Sequence, residues 1–267
     1  MSLVKAKKHL GQHFLTDKNI AEKIVNSLKS TDQYQQVLEV GPGMGILSDY
    51  LLQKTQYETY LIDVDPESVN YLQKKYPQLG DKLIKGDFLA LNFKDIFLDK
   101  FAIIGNFPYN ISSQILFKVL ENRNQVVELV GMFQKEVAER CAQKPGSKEY
   151  GILSVFLQAY YQVEYLFSVK PGVFNPPPKV LSAVIRLTRN DVLKLDCDEK
   201  LFWQVVKAGF NQRRKTLRNA LSSLINKDKM DDNPMLDLRA ERLSVNDFVA
   251  LTNFVSLCYK DISENNF

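Results

Sequence analysis

Val37-Leu38-Glu39-Val40-Gly41-Pro42-Gly43-Met44-Gly45-Ile46 is the stretch on which the fold turns. A largely apolar, strand-like run enters three glycines at alternate positions, and helical spacing follows over 46–53. Glycine permits a tight strand-to-helix turn and removes side chains where a ligand must press on the backbone. The pattern is G-x-G-x-G, and Ile46 stands where the dinucleotide fingerprint G-x-G-x-x-G has its third glycine. That departure points to a nucleoside rather than a pyrophosphate and argues against a nicotinamide oxidoreductase.

Working outward, further strand-like runs at 59–64, 82–85, 101–105 and 126–133 alternate with helix-like segments at 66–75 and 112–121. This order predicts an α/β fold with a doubly wound parallel sheet. A helical stretch at 154–162, runs at 165–167 and 182–187, and a proline-rich loop at 175–179 predict an antiparallel edge closing that sheet. After Arg189 the pattern changes to helices at 199–210, 215–225 and 245–259, the last opened by Ser244 with Asp247 three residues on. A polar loop is expected at 226–233. The expected organisation is a sheet domain over 1–189 and a small all-α domain over 190–267.

The chain has 267 residues, 45% hydrophobic and 25% charged, and no run approaches the roughly 18 apolar residues that span a bilayer. Lys5, Lys7 and Lys8 are not followed by the apolar core of a signal peptide, so a cytoplasmic protein with no membrane partner is expected. Cys141, Cys197 and Cys258 are odd in number and far apart, which gives neither a disulfide framework nor a paired zinc motif. The two histidines, His9 and His13, both lie near the N-terminus. That excludes a two-histidine zinc helix and argues against a nucleophile served by a histidine base. No metal site is expected, and the chemistry must need little acid or base help.

The acids at successive strand ends sharpen the ligand. Asp63 follows Gly41 by 22 residues, close to the roughly 20-residue interval at which a carboxylate binds ribose hydroxyls. Asp87, in Gly86-Asp87-Phe88, is placed to accept from an adenine amine while Phe88 packs on the ring. Open sheets bind ligands at the carboxyl ends of their strands, and the nucleoside this set favours is S-adenosylmethionine.

Asn106-Phe107-Pro108-Tyr109 reads either as an ordinary asparagine-proline turn or as a slot for a flat base, with Tyr109 stacking and Asn106 accepting from an exocyclic amine. Phe174, ahead of the three prolines 176–178, reads either as a second stacking wall or as a plug of the core. Gly11-Gln12-His13-Phe14-Leu15 reads as a lid over the cofactor. The net charge of +4 says little, but Lys207, Arg213, Arg214, Lys215 and Arg218 form a run without an acid. Such a run is either a solvated face or a phosphate-binding footprint, and beside a base slot it points to RNA.

Taken together, residues 11–15, 39–45, 106–110, 134–137, 174–180 and 210–219 resemble the ribosomal RNA adenine N6,N6-dimethyltransferases, and Phe210 to Thr216 resembles the bacterial small-subunit (16S) branch. The resemblance implies a Rossmann-like class I methyltransferase sheet with a helical RNA-binding domain. It implies that His13, Leu15, Gly41, Gly43, Asp63, Asp87 and Asn106 contact S-adenosylmethionine. Asn106, Tyr109 and Phe174 would hold the target adenine, and Arg213, Arg214, Lys215 and Arg218 the RNA. The implied reaction dimethylates two adjacent adenines in the 3′-terminal hairpin of 16S rRNA, on a pre-30S particle; a monomer is the default expectation. His13 stands where asparagine is usual, Asp63 where glutamate is common, and Phe107 where leucine is common, which is expected to narrow the slot.

Overall fold

The computed structural model describes residues 4–225 and 233–258. The expected loop at 226–233 lies outside them except for Asn233, as does the last position of the expected helix at 245–259. The chain divides into two compact units, Met1–Ala142 with Tyr161–Asn190, and Gln143–Tyr160 with Asp191–Phe267.

The first unit contains β1 (Phe14–Leu15), α1 (Lys18–Val25), β2 (Gln36–Val40), α2 (Ser48–Leu51), β3 (Glu58–Asp63), α3 (Pro66–Lys75), β4 (Leu83–Lys85), β5 (Phe101–Asn106), α4 (Ser112–Glu121), β6 (Val126–Gln134), α5 (Lys135–Ala142), β7 (Tyr161–Val169), β8 (Phe174–Asn175) and β9 (Ser182–Arg189). Seven strands form one sheet in the order β4-β3-β2-β5-β6-β9-β7. The first five are parallel, and β9 and β7 complete the edge with antiparallel pairings, Gly131 opposite Ile185 and Tyr165 opposite Ile185. The antiparallel edge is therefore as expected, with β9 inserted between β6 and β7.

β5 is buried from Phe101 to Gly105 and β6 from Val126 to Phe133, without alternation, because a parallel sheet covered on both faces needs apolar side chains on both. The one carboxylate in this run, Glu128 on β6, accepts from the Lys29 and Ser30 N–H groups and from the Tyr34 hydroxyl, so its burial is compensated. β1 and β8 form a separate two-stranded ribbon, Leu15 opposite Phe174.

The second unit contains α6 (Ile152–Tyr160), α7 (Glu199–Asn211), α8 (Leu217–Ala220) and α9 (Val245–Leu257). Asp198 caps α7 through the Leu201 N–H, and Ser244 and Asp247 form the expected capping box on α9. The expected division at 189/190 differs in one segment: 143–160 packs with the helical unit. α6 is apolar nearly all round, and Phe156 stacks on Trp203 of α7 with ring centroids 3.8 Å apart. Among the described residues no helix is long and apolar enough to cross a membrane.

Candidate functional site

The glycines after β2 all take positive φ: +67° at Gly41, +57° at Gly43 and +80° at Gly45. L side chains are strained in this region, and each glycine has a further reason of its own. A Cβ at Gly43 would lie 2.7 Å from the Phe14 ring, and one at Gly45 2.7 Å from the Tyr76 hydroxyl. A Cβ at Gly41 would meet nothing within 4 Å. The turn is thus packed from behind and open at Gly41. From behind, the Tyr76 hydroxyl lies 2.9 Å from the Gly45 carbonyl oxygen, and Lys75 Nζ donates to the Met44 carbonyl oxygen at 3.1 Å.

A cleft of about 700 Å³, open to solvent, lies at this carboxyl edge of the sheet. Gly41, Gly43, Asp63, Val64, Asp87, Phe88, Asn106 and Tyr109 line it, together with Leu10 to Phe14. Asp63, 5% exposed, accepts from the Gly43 N–H (3.1 Å) and the Asp65 N–H (2.9 Å). Burial raises its pKa against these hydrogen bonds. Asp87 is exposed; its Oδ1 accepts from the Leu89 N–H (2.8 Å), and its other oxygen has no partner among the described residues.

The lid expected at 11–15 is tied down at three points. Asp65, wholly buried and the N-cap of α3, accepts from Lys7 Nζ (2.5 Å) and Gln12 Nε2 (3.2 Å). Burial pushes the Asp65 carboxyl up, but the hydrogen bonds from Lys7, Gln12 and the Glu67 N–H outweigh it and hold the pKa below the usual value. Phe14 covers Gly43. The His13 carbonyl accepts from Asn106 Nδ2 (2.8 Å), and its ring donates from Nδ1 to the Pro176 carbonyl (2.8 Å) and stacks on Tyr109 at 5.6 Å and 26°.

Asn106 ends β5 with its amide nitrogen committed to His13, which leaves Oδ1 with no partner among the described residues. The Tyr109 hydroxyl shares a 2.5 Å hydrogen bond with the buried Ser182, and burial raises its pKa. Leu15 lines a smaller recess beside the cleft with Glu39, Gly41 and Asn106. Glu39, 1% exposed and bonded to Ser48 Oγ at 2.5 Å, is pushed up by burial to about 8.

One expectation needs correction. Phe174 is 4% exposed and belongs to the core cluster with Leu15, Met132 and Val184; it does not line the cleft. Its pairing with Leu15 across the β1/β8 ribbon turns the side chain inward, so the core-plug reading is the one the structure supports. Phe107 lines the cleft beside Asn106, and its ring lies over Gly105 and Gly131 and against Phe133 (5.0 Å). A Cβ on Gly131 would run into that ring.

The basic run in the second unit divides. Arg213 donates to the carbonyl oxygens of Lys148 and of Tyr150 (3.0 Å), and Arg218 pairs with Asp237 (2.9 Å). Arg214 and Lys215 are exposed, with no partner among the described residues. The sequence reading gave no role to Asp65 and none of its own to Gln12. Asp65-Pro66 is a helix-start signal from which Asp65 could have been read as a cap.

A family model described as ribosomal RNA adenine dimethylase matches residues 3–256. The ribosomal RNA small subunit methyltransferase A of Cytophaga hutchinsonii is 60% identical over 256 residues, covering 96% of this chain and 99% of that protein. The protein of the same name from Flavobacterium johnsoniae is 56% identical over 253 residues, 94% and 96% of the two chains. Among solved structures, a dimethyladenosine transferase from Plasmodium falciparum matches with a TM-score of 0.74 at 24% identity, over 92% of this chain and 100% of that one. A 23S rRNA methyltransferase matches with a TM-score of 0.66 at 22% identity, over 91% and 99%. These two share the fold.

Proposed function

This chain belongs to the ribosomal RNA adenine dimethylase family, and from that premise we propose that it dimethylates the N6 amines of two adjacent adenosines in the 3′-terminal hairpin loop of 16S rRNA. The methyl donor is S-adenosylmethionine, and the substrate is a pre-30S particle late in small-subunit biogenesis. The enzyme acts as a cytoplasmic monomer. The observation that carries this reading is the unpartnered Asn106 Oδ1 at the end of β5, in a cleft whose floor at Gly41 is open.

The cleft fits the cofactor. Gly41 leaves room for it, Asp63 stands at the end of β3 to accept from ribose hydroxyls, and Asp87 offers its free oxygen to the adenine amine. When bound, S-adenosylmethionine supplies a methyl group on a cationic sulfur, an activated leaving group. Asn106 Oδ1 accepts a hydrogen from the target amine, whose lone pair is otherwise delocalised into the ring, and so favours a pyramidal nitrogen. Tyr109, held through Ser182, offers its ring to the base. The amine proton leaves to solvent, so no histidine base is needed. In the second unit, Arg214 and Lys215 make phosphate contacts, which bind without reading sequence.

The test is methyl transfer from labelled S-adenosylmethionine to small subunits that lack adenine dimethylation, followed by nuclease digestion and mass analysis. N6,N6-dimethyladenosine at two neighbouring positions of the 3′ hairpin is expected. Modification elsewhere, or tight subunit binding with no transfer, would overturn the proposal. A large-subunit substrate is disfavoured because the relatives at 60% and 56% identity both bear the small-subunit name.

A further inference from the structure

One wall of the cleft is held by a lysine that does not line it. Lys118 on α4 donates from Nζ to the carbonyl oxygens of Leu89 (2.9 Å) and Leu91 (2.6 Å). The same ammonium lies 5.0 Å from the centre of the Phe93 ring and 5.8 Å from that of Phe88. Leu89 and Leu91 belong to the turn that follows β4 and carries Asp87 and Phe88 into the cleft.

The turn also has bonds of its own. The Leu89 N–H donates to Asp87 Oδ1, and the Ala90 and Leu91 N–H groups donate to the Asp87 carbonyl oxygen. These bonds close the turn upon itself but do not fix its direction relative to the sheet. The contact that does so from α4 is Lys118, through two charge-assisted hydrogen bonds and the ring faces. Burial lowers the pKa of this amine, with the charges of Glu121 and Asp87 opposing, so the ammonium sits where it gives up solvation for these partners.

We propose that Lys118 is a positioning residue for cofactor recognition: by clamping the 87–91 turn it sets the free oxygen of Asp87 where an adenine amine is read, and so gives the cleft its preference for adenine over a 6-oxo purine. The inference rests on the reading of Asp87 given under the proposed function. An amine donates to the carboxylate, whereas a carbonyl oxygen at that position faces it with like polarity.

The test compares the binding of S-adenosylhomocysteine with that of S-inosylhomocysteine, which carries a carbonyl oxygen in place of the exocyclic amine. Calorimetry is run on the wild type, Asp87→Ala, Lys118→Met and Lys118→Arg. Loss of a hydrogen bond to a charged group corresponds to a change of about tenfold or more, so Asp87→Ala is expected to reduce the adenine preference by that factor. Lys118→Met is expected to reduce it to a similar degree although Asp87 is intact. Lys118→Arg keeps charged donors for the two carbonyls and is expected to restore most of the preference. If Lys118→Met does not fold, Lys118→Gln, which shortens the arm and removes the charge, serves in its place, with a smaller loss of the preference expected. Equal weakening of both ligands in the Lys118 variants, or an unchanged preference, overturns the inference and leaves the Asp87 reading standing. An unchanged preference in Asp87→Ala overturns the Asp87 reading and this inference with it.

Discussion

In the cleft of the first unit, single side chains face two ways. Asn106 binds the His13 carbonyl with its nitrogen and leaves its oxygen open; Asp87 binds the Leu89 N–H with one oxygen and leaves the other open. On the basic turn of the second unit the duties fall to different residues. Arg213 and Arg218 are engaged with protein partners, whereas Arg214 and Lys215 point to solvent. A site that reads a ligand's polar groups needs each of its own both fixed in direction and available, because an unfixed one loses entropy on binding and an unavailable one does nothing. A surface that binds phosphates needs only that some cations keep their donors free.

The contrast can be broken most sharply at Gly41. Gly41→Val fills the one open position of the glycine turn and places a branched side chain at φ +67°. Overpacking of this kind corresponds to about 1–3 kcal/mol, hence roughly tenfold to hundredfold weaker binding of S-adenosylhomocysteine by calorimetry. Undiminished affinity would mean that the cofactor does not press on this turn. The division of the basic run comes next. Replacing Arg214 and Lys215 by alanine is expected to lower the salt-dependence slope of RNA binding by about two, one for each lost phosphate contact. Arg213→Ala is expected to leave the slope in place and to open the Lys148–Tyr150 segment to proteolysis. An equal loss of slope in both variants would return Arg213 to the RNA surface.

The smallest effect concerns Glu39. Its folded-state pKa is raised from 4.5 to about 8, so between these values the folded protein keeps a proton that the unfolded chain releases. Stability therefore falls as pH rises through that window. Glu39→Gln, which keeps an acceptor for Ser48, is expected to narrow the difference in Tm between pH 5.5 and 8.5 by a few degrees. The same pH dependence in both proteins would place the titration elsewhere.

The elements that could be read from the sequence are those whose limits are set locally. The expected helices at 66–75 and 112–121 match α3 and α4 to the residue, α3 because Asp65 caps it and Pro66 opens it. The expected helix at 46–53 shrinks to Ser48–Leu51, and that at 215–225 to Leu217–Ala220 followed by turns, because apolar spacing does not reveal where the backbone tightens. α1 and α5 have no counterpart among the expected elements. Each is eight residues long, short for a periodic signal to stand out.

The site divides in the same way. The positive φ angles of Gly41, Gly43 and Gly45 are a backbone need that glycine advertises, and the strand-end acids follow from the order of the sheet. Phe174 and Arg213 were assigned from motif and resemblance, which do not show tertiary partners: Leu15 lies opposite the first across the ribbon, and the carbonyls of Lys148 and Tyr150 accept from the second. Lys118 left no local signal, since a lysine on a helix ordinarily faces water.

The role proposed for Asn106 is to promote methyl transfer, through its free oxygen, rather than cofactor binding. It is tested most directly by single-turnover transfer to undermethylated small subunits by the wild type and Asn106→Ala, with S-adenosylhomocysteine affinity measured on both. The rate is expected to fall by about a hundredfold or more, as for the removal of one preorganised transition-state contact. Cofactor affinity, which loses the tie to His13, is expected to weaken by less than about tenfold. An unchanged rate, or a rate that falls only as far as cofactor affinity does, would contradict the claim.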